Sequence, residues 1–390
     1  MIRPTHALVD LAALRANHAA IRARVGPHVR MLAPVKGDAY GHGARDVART
    51  LQEDGCDAFG VALVEEGAQL RDAGITGTVL CLGGVGRFGA EEAVARHLTP
   101  ALYDEGDAAR LDAAARAAGR TVAVHLKVDT GMGRLGVPLP DWERFLDRLA
   151  RYERLDVEGL MTHFAESEAE DPTFTREQIR RFRTALASLR ARGWNPRTVH
   201  ACNSGGVLTQ PSAHGDLVRP GILLYGVAPG PAVSDALALR PVMSVRTQVL
   251  FVKDLPAGAG VSYGRRFVTT RPSRIATLPV GYADGYPRAL GGRAEVLVAG
   301  RRCPVVGVVC MDLCMVDVTD VPVPVESGDP VTLLGRDGDE TVRVEDLAAW
   351  AGTIPYEILC GFSERVPRRP TPQPLRPRTT PEAAPRDRAP

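Results

Sequence analysis

No apolar run in this chain of 390 residues approaches the length needed to cross a bilayer, which excludes a membrane-spanning helix. The opening residues, Met1-Ile2-Arg3-Pro4-Thr5-His6, hold no apolar core of signal-peptide length, and the expectation is a cytoplasmic protein. Neither sign of charge dominates. Lys and Arg total 48 against 46 Asp and Glu, so the basic field that a nucleic-acid binder needs is missing. Cysteine is sparse: seven residues, an odd and scattered set, suit a reducing compartment better than a disulfide framework. Cys310 and Cys314 have C-x3-C spacing but lie in an apolar run without a second ligand pair. They read as strand-core thiols, and no metal is expected.

What is present is alternation. From Ala7 to about Val227, short apolar runs alternate with amphipathic helical stretches. The candidate strands are 31–35, 58–63, 78–82, 98–102, 121–128, 157–163, 198–202 and 217–225, with helix patterns such as 46–52, 105–118, 141–152 and 175–192 between them. Eight strands, each followed by a helix, within roughly 220 residues fit a (β/α)8 barrel of TIM type. A doubly wound sheet satisfies the same count, since counting strands does not show closure. After about Leu239 the texture turns valine-rich with frequent turn residues, an all-β pattern with one short helix near 345–350. The fold class is therefore α/β, a barrel followed by a mostly-β C-terminal domain. The expected division is a barrel at 1–238, a β-domain at 239–366 and a disordered Pro/Arg-rich tail at 367–390, where eight prolines fall in 24 residues.

Gly131-Met132-Gly133-Arg134-Leu135-Gly136 spells G-x-G-x-x-G after a strand. A dinucleotide fingerprint requires a helix to open there, and Pro138 and Pro140 do not suit its first turns. The next helix is expected to start at Asp141, an N-cap candidate.

Chemistry in a barrel belongs at the C-terminal ends of its strands. Lys36 closes the first strand; Lys127, Asp129 and Arg134 cluster at the fifth; His163 closes the sixth; Asn203-Ser204-Gly205-Gly206 follows the seventh; Arg219, Pro220, Gly221 and Ile222 fall in the eighth. Turn chemistry explains any one of these and explains all five together poorly. A lysine at a strand exit can sit in a dry pocket, where its pKa falls and its amine becomes a nucleophile suited to a carbonyl cofactor.

Lys36-x-x-x-Tyr40-Gly41-His42-Gly43 resembles the cofactor-lysine motif of the pyridoxal-phosphate (PLP) alanine racemases, with Gly37 where that family usually has alanine. The stretches 127–136, 200–204, 218–226, 261–264, 281–286, 311–312 and 354–357 are similar to that family in order, up to about Arg365. The resemblance implies PLP on Lys36, with its phosphate held by Tyr40, Ser204, Gly221, Ile222 and Tyr356, and Asn203 and His163 beside the cofactor. It implies Arg219 against the pyridine nitrogen, where a donor that stays charged leaves that nitrogen unprotonated. It implies two bases, Lys36 for the α-proton of D-alanine and Tyr263 for that of L-alanine. A phenol needs neighbours to serve as a base near neutral pH, and His163 and Arg219 are placed to help. Arg134, with the backbone at Met311, is implied to grip the substrate carboxylate. Lys127 is implied to be carbamylated, the alternative being an ion pair with Asp129. Tyr282 and Tyr356 are implied to narrow the entrance. Tyr263 and Met311 are implied to reach the site of a second subunit in a head-to-tail homodimer. The activity implied is interconversion of L- and D-alanine, supplying D-alanine for peptidoglycan, with no nucleic-acid or membrane partner. A serine or broad-specificity racemase on the same frame is the nearest alternative. A barrel-only PLP carrier would lack Tyr263, and a PLP decarboxylase would put an acid where Arg219 stands.

Overall fold

A computed structural model describes residues 3–371. Strand β1 (His6–Val9) leads into a helix at Leu11–Val25, capped by the Asp10 side chain on the Ala13 amide. Nine further strands follow: β2 (Arg30–Pro34), β3 (Ala58–Val61), β4 (Thr78–Cys81), β5 (Thr99–Leu102), β6 (Val122–Asp129), the two-residue β7 (Val137–Pro138), β8 (Leu155–Met161), β9 (Thr198–His200) and β10 (Leu217–Val218). Setting aside β7, which pairs only with the end of β6, eight of them pair in parallel in the order β10-β2-β3-β4-β5-β6-β8-β9. The ends of this row meet: the Asp216 amide donates to Val199 O at 3.0 Å and the Arg219 amide to Cys202 O at 2.9 Å. The sheet closes, and a doubly wound arrangement, which would reverse its strand order, is excluded.

Side chains on a strand alternate between faces. Leu32, Ala58, Leu80, Ala101, Met161 and Leu217 form a buried cluster of their own, separate from the main core, and these are the inward positions of six barrel strands. Their odd-numbered neighbours on β2, Met31 and Ala33, pack outward with the helices. The interior register also admits His125, because Gly159 beside it has no side chain. A Cβ there would lie 2.5 Å from the His125 ring.

The rest of the chain is mostly β. β11 (Met243–Gln248), β12 (Phe251–Leu255), β15 (Ser273–Leu278), β16 (Glu295–Val298), β17 (Arg301–Val306), β18 (Cys314–Asp317) and β19 (Pro330–Asp337) share one sheet, with β20 (Glu340–Val342) paired to β19. β13 (Gly260–Val261) and β14 (Phe267–Val268) make a separate small hairpin. Two helices, Val344–Ala351 and Pro355–Gly361, follow; the second was not anticipated from the sequence.

Four features differ from the sequence expectations. The eighth strand, expected at 217–225, stops at Val218, and after Pro220, which has no N–H to give to a ladder, Gly221–Leu224 turns into a short helix. β1, within the stretch assigned to the barrel, pairs antiparallel with β11 and belongs to the second sheet. Arg368–Pro370, within the stretch assigned to a disordered tail, forms β21, parallel to β1. Residues 372–390 of that tail lie outside the described residues. The helix expected from Asp141 starts earlier and spans Leu139–Leu149. A proline in the first helical turn forfeits only an N–H that has no intrahelical partner, so Pro140 fits there, and Asp141 instead pairs with Arg144 one turn on. The loop 131–136 opens no helix, as the prolines suggested. Cys314 is buried in β18, and no group of metal-ligating side chains occurs among the described residues. Among the same residues no helix is long and apolar enough to cross a membrane.

The two halves are pinned by Asn17. Its buried side chain donates to Leu224 O (3.0 Å) and Arg240 O (2.8 Å) and accepts from the Arg240 amide (2.8 Å). Both ends of the connection between barrel and β-sheet are thereby fixed to the first helix. Asn17→Ala leaves these backbone groups unsatisfied and should lower unfolding stability by about 2–3 kcal/mol, measured by urea titration.

Candidate active site

The period-two register carries the inward face upward to the chemistry. Lys36 stands two positions beyond Pro34, Lys127 two beyond His125, His163 two beyond Met161 and Arg219 two beyond Leu217. All four line one cavity of about 700 Å³ at the C-terminal mouth of the barrel. Tyr40, Arg134, Asn203, Ser204, Gly221, Ile222 and Tyr356 line it too, so eleven of the fourteen residues singled out in the sequence meet there. Glu66, Glu168 and Cys360, not anticipated, are also in its wall.

The backbone after Lys36 is unusual. Gly37, Asp38, Ala39 and Tyr40 are all left-handed, with φ of 52–60° and ψ of 39–50°. For the three that carry a Cβ this costs roughly 1–2 kcal/mol each. The turn is held from several sides. Glu66 accepts the Gly37 amide with one carboxylate oxygen (2.7 Å) and the Ala62 and Leu63 amides with the other (2.7 and 3.1 Å). Asp38 accepts the Ala44 amide (2.7 Å), and the buried His42 donates through Nδ1 to Ala39 O and Tyr40 O (3.0 and 2.9 Å). Gly41, at φ +80°, lies against the helix at 355–361; a Cβ would fall 2.1 Å from Leu359 O. At Gly37 glycine enters the left-handed region without that Cβ penalty, which gives its departure from alanine a local reason.

Tyr40 is set by rings, 4.9 Å from Tyr225 and 5.9 Å from Tyr356 between centroids, and Tyr225 donates to Pro34 O at 2.8 Å. The Tyr40 hydroxyl occupies the space left by Gly221, where a Cβ would lie 2.5 Å from it. Burial raises the Tyr356 phenol to about 12, so it is a proton donor here. Asn203 caps the helix Ser204–Thr209, accepting from the Gly206 amide at 3.0 Å and from Ser167 Oγ at 2.6 Å.

Four cations share the cavity. Lys36, Lys127, Arg134 and Arg219 form no ion pair among the described residues. Asp129 does not serve Lys127: its carboxylate accepts the Gly131 and Gly133 amides (2.9 and 3.0 Å) and shapes the loop carrying Arg134. Burial, then the Arg134 guanidinium, holds the Lys36 amine below the ordinary lysine value. Burial, then Arg219, Arg134 and Lys36, lowers Lys127 to about 8. Burial lowers Arg219 to about 10. The whole chain has only three lysines, and two are these. Arginine stays protonated near neutral pH, whereas both of these amines are held below the ordinary lysine value. The scarcity of lysine was readable in the sequence and was missed.

Behind Arg219 stands an imidazole pair. Its guanidinium donates to Thr162 O (2.7 Å), Ala201 O (2.8 Å) and His200 Nδ1 (2.7 Å), with His163 Nδ1 at 3.4 Å. A donor-only group forces His200 Nδ1 to accept, so the His200 Nε2–H donates to His125 Nδ1 at 2.7 Å. The His125 Nε2–H is left buried without a partner. Burial and then Arg219 push His163, His200 and His125 well down, His125 to about 3, so all three are neutral near pH 7.

Tyr263, Tyr282 and Met311 do not line the cavity. They are 75 %, 43 % and 54 % exposed and lie on the β-rich half of the chain. They are near one another in the backbone: the Tyr282 amide donates to Cys310 O (3.0 Å), the Ala283 amide to Met311 O (3.0 Å), and Ser262 Oγ to Val308 O (2.9 Å).

A closed parallel barrel whose rim gathers basic side chains, joined to a β-rich second half, defines the class as a barrel enzyme with a second domain. Two family models divide the chain: the alanine racemase N-terminal domain matches residues 9–229 and the alanine racemase C-terminal domain residues 242–370. The chain belongs to the alanine racemase family and is an isomerase of that type. An alanine racemase of Symbiobacterium thermophilum is 48% identical over 367 residues, covering 94% of this chain and 97% of its own. The crystal structure of the alanine racemase from Streptomyces lavendulae superposes with a TM-score of 0.90 at 39% identity, over 95% of this chain and 98% of that one. That of Bartonella henselae, which carries covalently bound pyridoxal phosphate, gives 0.85 at 30% identity, over 94% and 99%.

Lys127 makes the charge crowding measurable. Its folded value of about 8 lies below the ordinary 10.5, so the folded state binds fewer protons between those limits. Stability therefore rises as pH climbs from about 8, and the full cost is present below it. In ligand-free protein kept free of CO2, so that Lys127 is the bare amine, Lys127→Met should gain stability on the order of 3 kcal/mol at pH 7 and flatten the rise above pH 8, as followed by urea unfolding at each pH.

Proposed function

We propose that this chain is a cytoplasmic alanine racemase that uses PLP and two bases on opposite faces of the substrate, and that it supplies D-alanine for peptidoglycan. The observation that carries the reading is the cavity itself: a lysine with a lowered pKa shares it with three further cations, and these four outnumber the two carboxylates of the wall, Glu66 and Glu168, and form an ion pair with neither. Such a site suits ligands that bring their own negative charge, a phosphate and a carboxylate.

The residues fit the cofactor. Gly221 leaves room for the Tyr40 hydroxyl, which a Cβ would fill, and this phenol together with Ser204, Gly221, Ile222 and Tyr356 makes a neutral donor set appropriate to phosphate. Arg219, with no carboxylate beside it, offers only donors to a ring nitrogen. When bound, PLP withdraws electrons from the substrate Cα and acidifies its proton.

The chain's own groups do the rest. Lys36 would hold the cofactor, and its amine, when free, would take or return the α-proton of D-alanine. The phenol of the partner's Tyr263 does so for L-alanine on the other face. Arg134 binds the substrate carboxylate, and Asn203 and His163 flank the cofactor. His163, neutral beside Arg219, can exchange a hydrogen bond with the incoming phenol without adding charge. The backbone of the partner's Met311 assists Arg134, and Tyr356 with the partner's Tyr282 limits the entrance to small side chains. Lys127 is carbamylated: its amine, lowered to about 8, has a substantial neutral fraction near pH 7, and its nitrogen adds to CO2 with loss of a proton. The resulting anion lies among Arg134, Arg219 and Lys36.

The exposure of Tyr263 and Met311 supports a head-to-tail homodimer with shared sites. Lys36→Ala and Tyr263→Phe proteins should each be nearly inactive, and mixing them with subunit exchange should restore about half of wild-type turnover per heterodimer, or about a quarter for an equimolar mixture at random exchange. No recovery after verified exchange removes the shared-site model. Borohydride treatment followed by peptide mapping should place the reduced cofactor on Lys36; recovery elsewhere, or nowhere, overturns the reading of the cavity.

A further inference from the structure

Arg368 lies in β21, far along the chain from the barrel mouth, yet its side chain ends at the lysine turn. Its Nε donates to Gly41 O at 2.8 Å. Nη1 donates to Ser363 O and Val366 O, each at 2.7 Å, and Nη2 to Phe362 O at 2.6 Å. All four acceptors are main-chain carbonyls, and no carboxylate pairs with this half-buried guanidinium within ion-pair distance. Gly41 is the residue on which the left-handed turn ends. The bracket that Arg368 closes is itself anchored. Ser363 donates to Ala283 O at 2.9 Å, Arg365 reaches Asp312 at 2.7 Å, and β21 hydrogen-bonds along β1, with Ala7 N to Pro367 O at 3.0 Å and Thr371 N to Val9 O at 2.9 Å.

We infer that Arg368 is a positioning residue for Lys36: it ties the end of the left-handed turn to the β-rich half of the molecule and so holds the lysine and Tyr40 in register at the barrel mouth. Residues of the turn with a Cβ have better conformations available in isolation. The turn persists because its surroundings over-determine it, and at its C-terminal end those surroundings are the Leu359 carbonyl, which only glycine can approach, and the Arg368 fork. A planar fork with N–H groups on three nitrogens satisfies four carbonyls spread around it; a lysine ammonium, a point charge with three donors, does not. The assignment rests on the functional reading above and adds a residue outside the cavity to it.

The test compares holoenzyme of wild type, Arg368→Lys and Arg368→Met. Arg368→Lys keeps the charge and the strand and loses the fork. Cofactor loss is followed by absorbance after dilution into a carbonyl scavenger, beside kcat, KM for alanine and the urea midpoint. Both variants should lose cofactor at least tenfold faster and show kcat at least tenfold lower. KM should stay within about twofold, since Arg134 is untouched. Methylguanidinium should restore part of the Arg368→Met activity and methylammonium none. Cofactor retention and kcat within twofold of wild type in Arg368→Lys overturn the inference. So does a loss of kcat that the unfolded fraction fully accounts for. A second readout needs no cofactor. In the ligand-free chain, the pH midpoint for labelling Lys36 with an amine reagent should move upward in Arg368→Lys as the turn opens to water, and an unchanged midpoint counts against the clamp. A wild-type protein that binds no cofactor at Lys36 would sink the functional reading instead, and the labelling result would still decide the role of Arg368.

Discussion

Positive charge is gathered at the mouth of the barrel in excess of the acids there and unpaired with them, and much of the molecule follows from that. Lys36, Lys127, Arg134 and Arg219 face one cavity, while the acids near them are committed elsewhere: Glu66 to three backbone amides and Asp129 to two. Repulsion and burial act in the same direction on each amine and each imidazole, so the lysines lose protons more readily and the histidines stay neutral. A site built this way is incomplete without anions. It favours a ligand with a phosphate and a substrate with a carboxylate, and it discourages bound cations of any kind.

The division of labour between lysine and arginine sharpens the point. Arginine does nearly all the cationic work of this chain, in surface pairs such as Arg192 with Asp147 and in backbone clamps such as Arg71 on Ile75 O and Gly77 O. The third lysine, Lys253, is exposed over the Phe251 ring. Lysine elsewhere is confined to the two cavity positions to which the proposed chemistry assigns a neutral amine. Arg219 is the complementary case. It is buried without a counterion, yet it remains a donor, and its fixed direction of donation propagates through His200 to His125. The ring-nitrogen contact proposed for it has the same fixed polarity, because every polar hydrogen of a guanidinium donates.

The barrel was legible because alternation is a local property. Seven of the eight expected strands match observed ones to within a few residues, the eighth is cut short at Val218 with a helix at Gly221–Leu224 in place of its second half, and the strand exits carry the side chains that the cavity collects. The recognition of Lys36, Tyr40 and Arg219 as one site followed from that register together with the family resemblance. What escaped depends on contacts distant in sequence or on backbone sign. Nothing in Gly-Asp-Ala-Tyr announces three non-glycine residues at positive φ, because the cost is met by Glu66, His42 and Leu359 from other parts of the chain. β1 and β21 are short, flanked by prolines and arginines, and become strands only beside β11. The start of the helix at Leu139 was misjudged for a different reason: proline was counted as a breaker where, in a first turn, it is tolerated.

The C-terminal segment also connects two regions that the proposed chemistry needs at once. From Leu359 to Arg368 it touches the lysine turn through Gly41, and the Tyr282–Asp284 turn through Ser363. Asp284, fully buried, is held by Arg3 and approached by Arg365, which also binds Asp312 next to Met311. One short stretch therefore sets both the group that a chain keeps for its own cavity and the exposed face that, in the homodimer reading, it lends to the other. Errors in the placement of one would be transmitted to the other through main-chain hydrogen bonds rather than through a flexible linker. This favours a pair of sites whose geometry is fixed by the second half of each chain, with the barrel supplying the rigid rim.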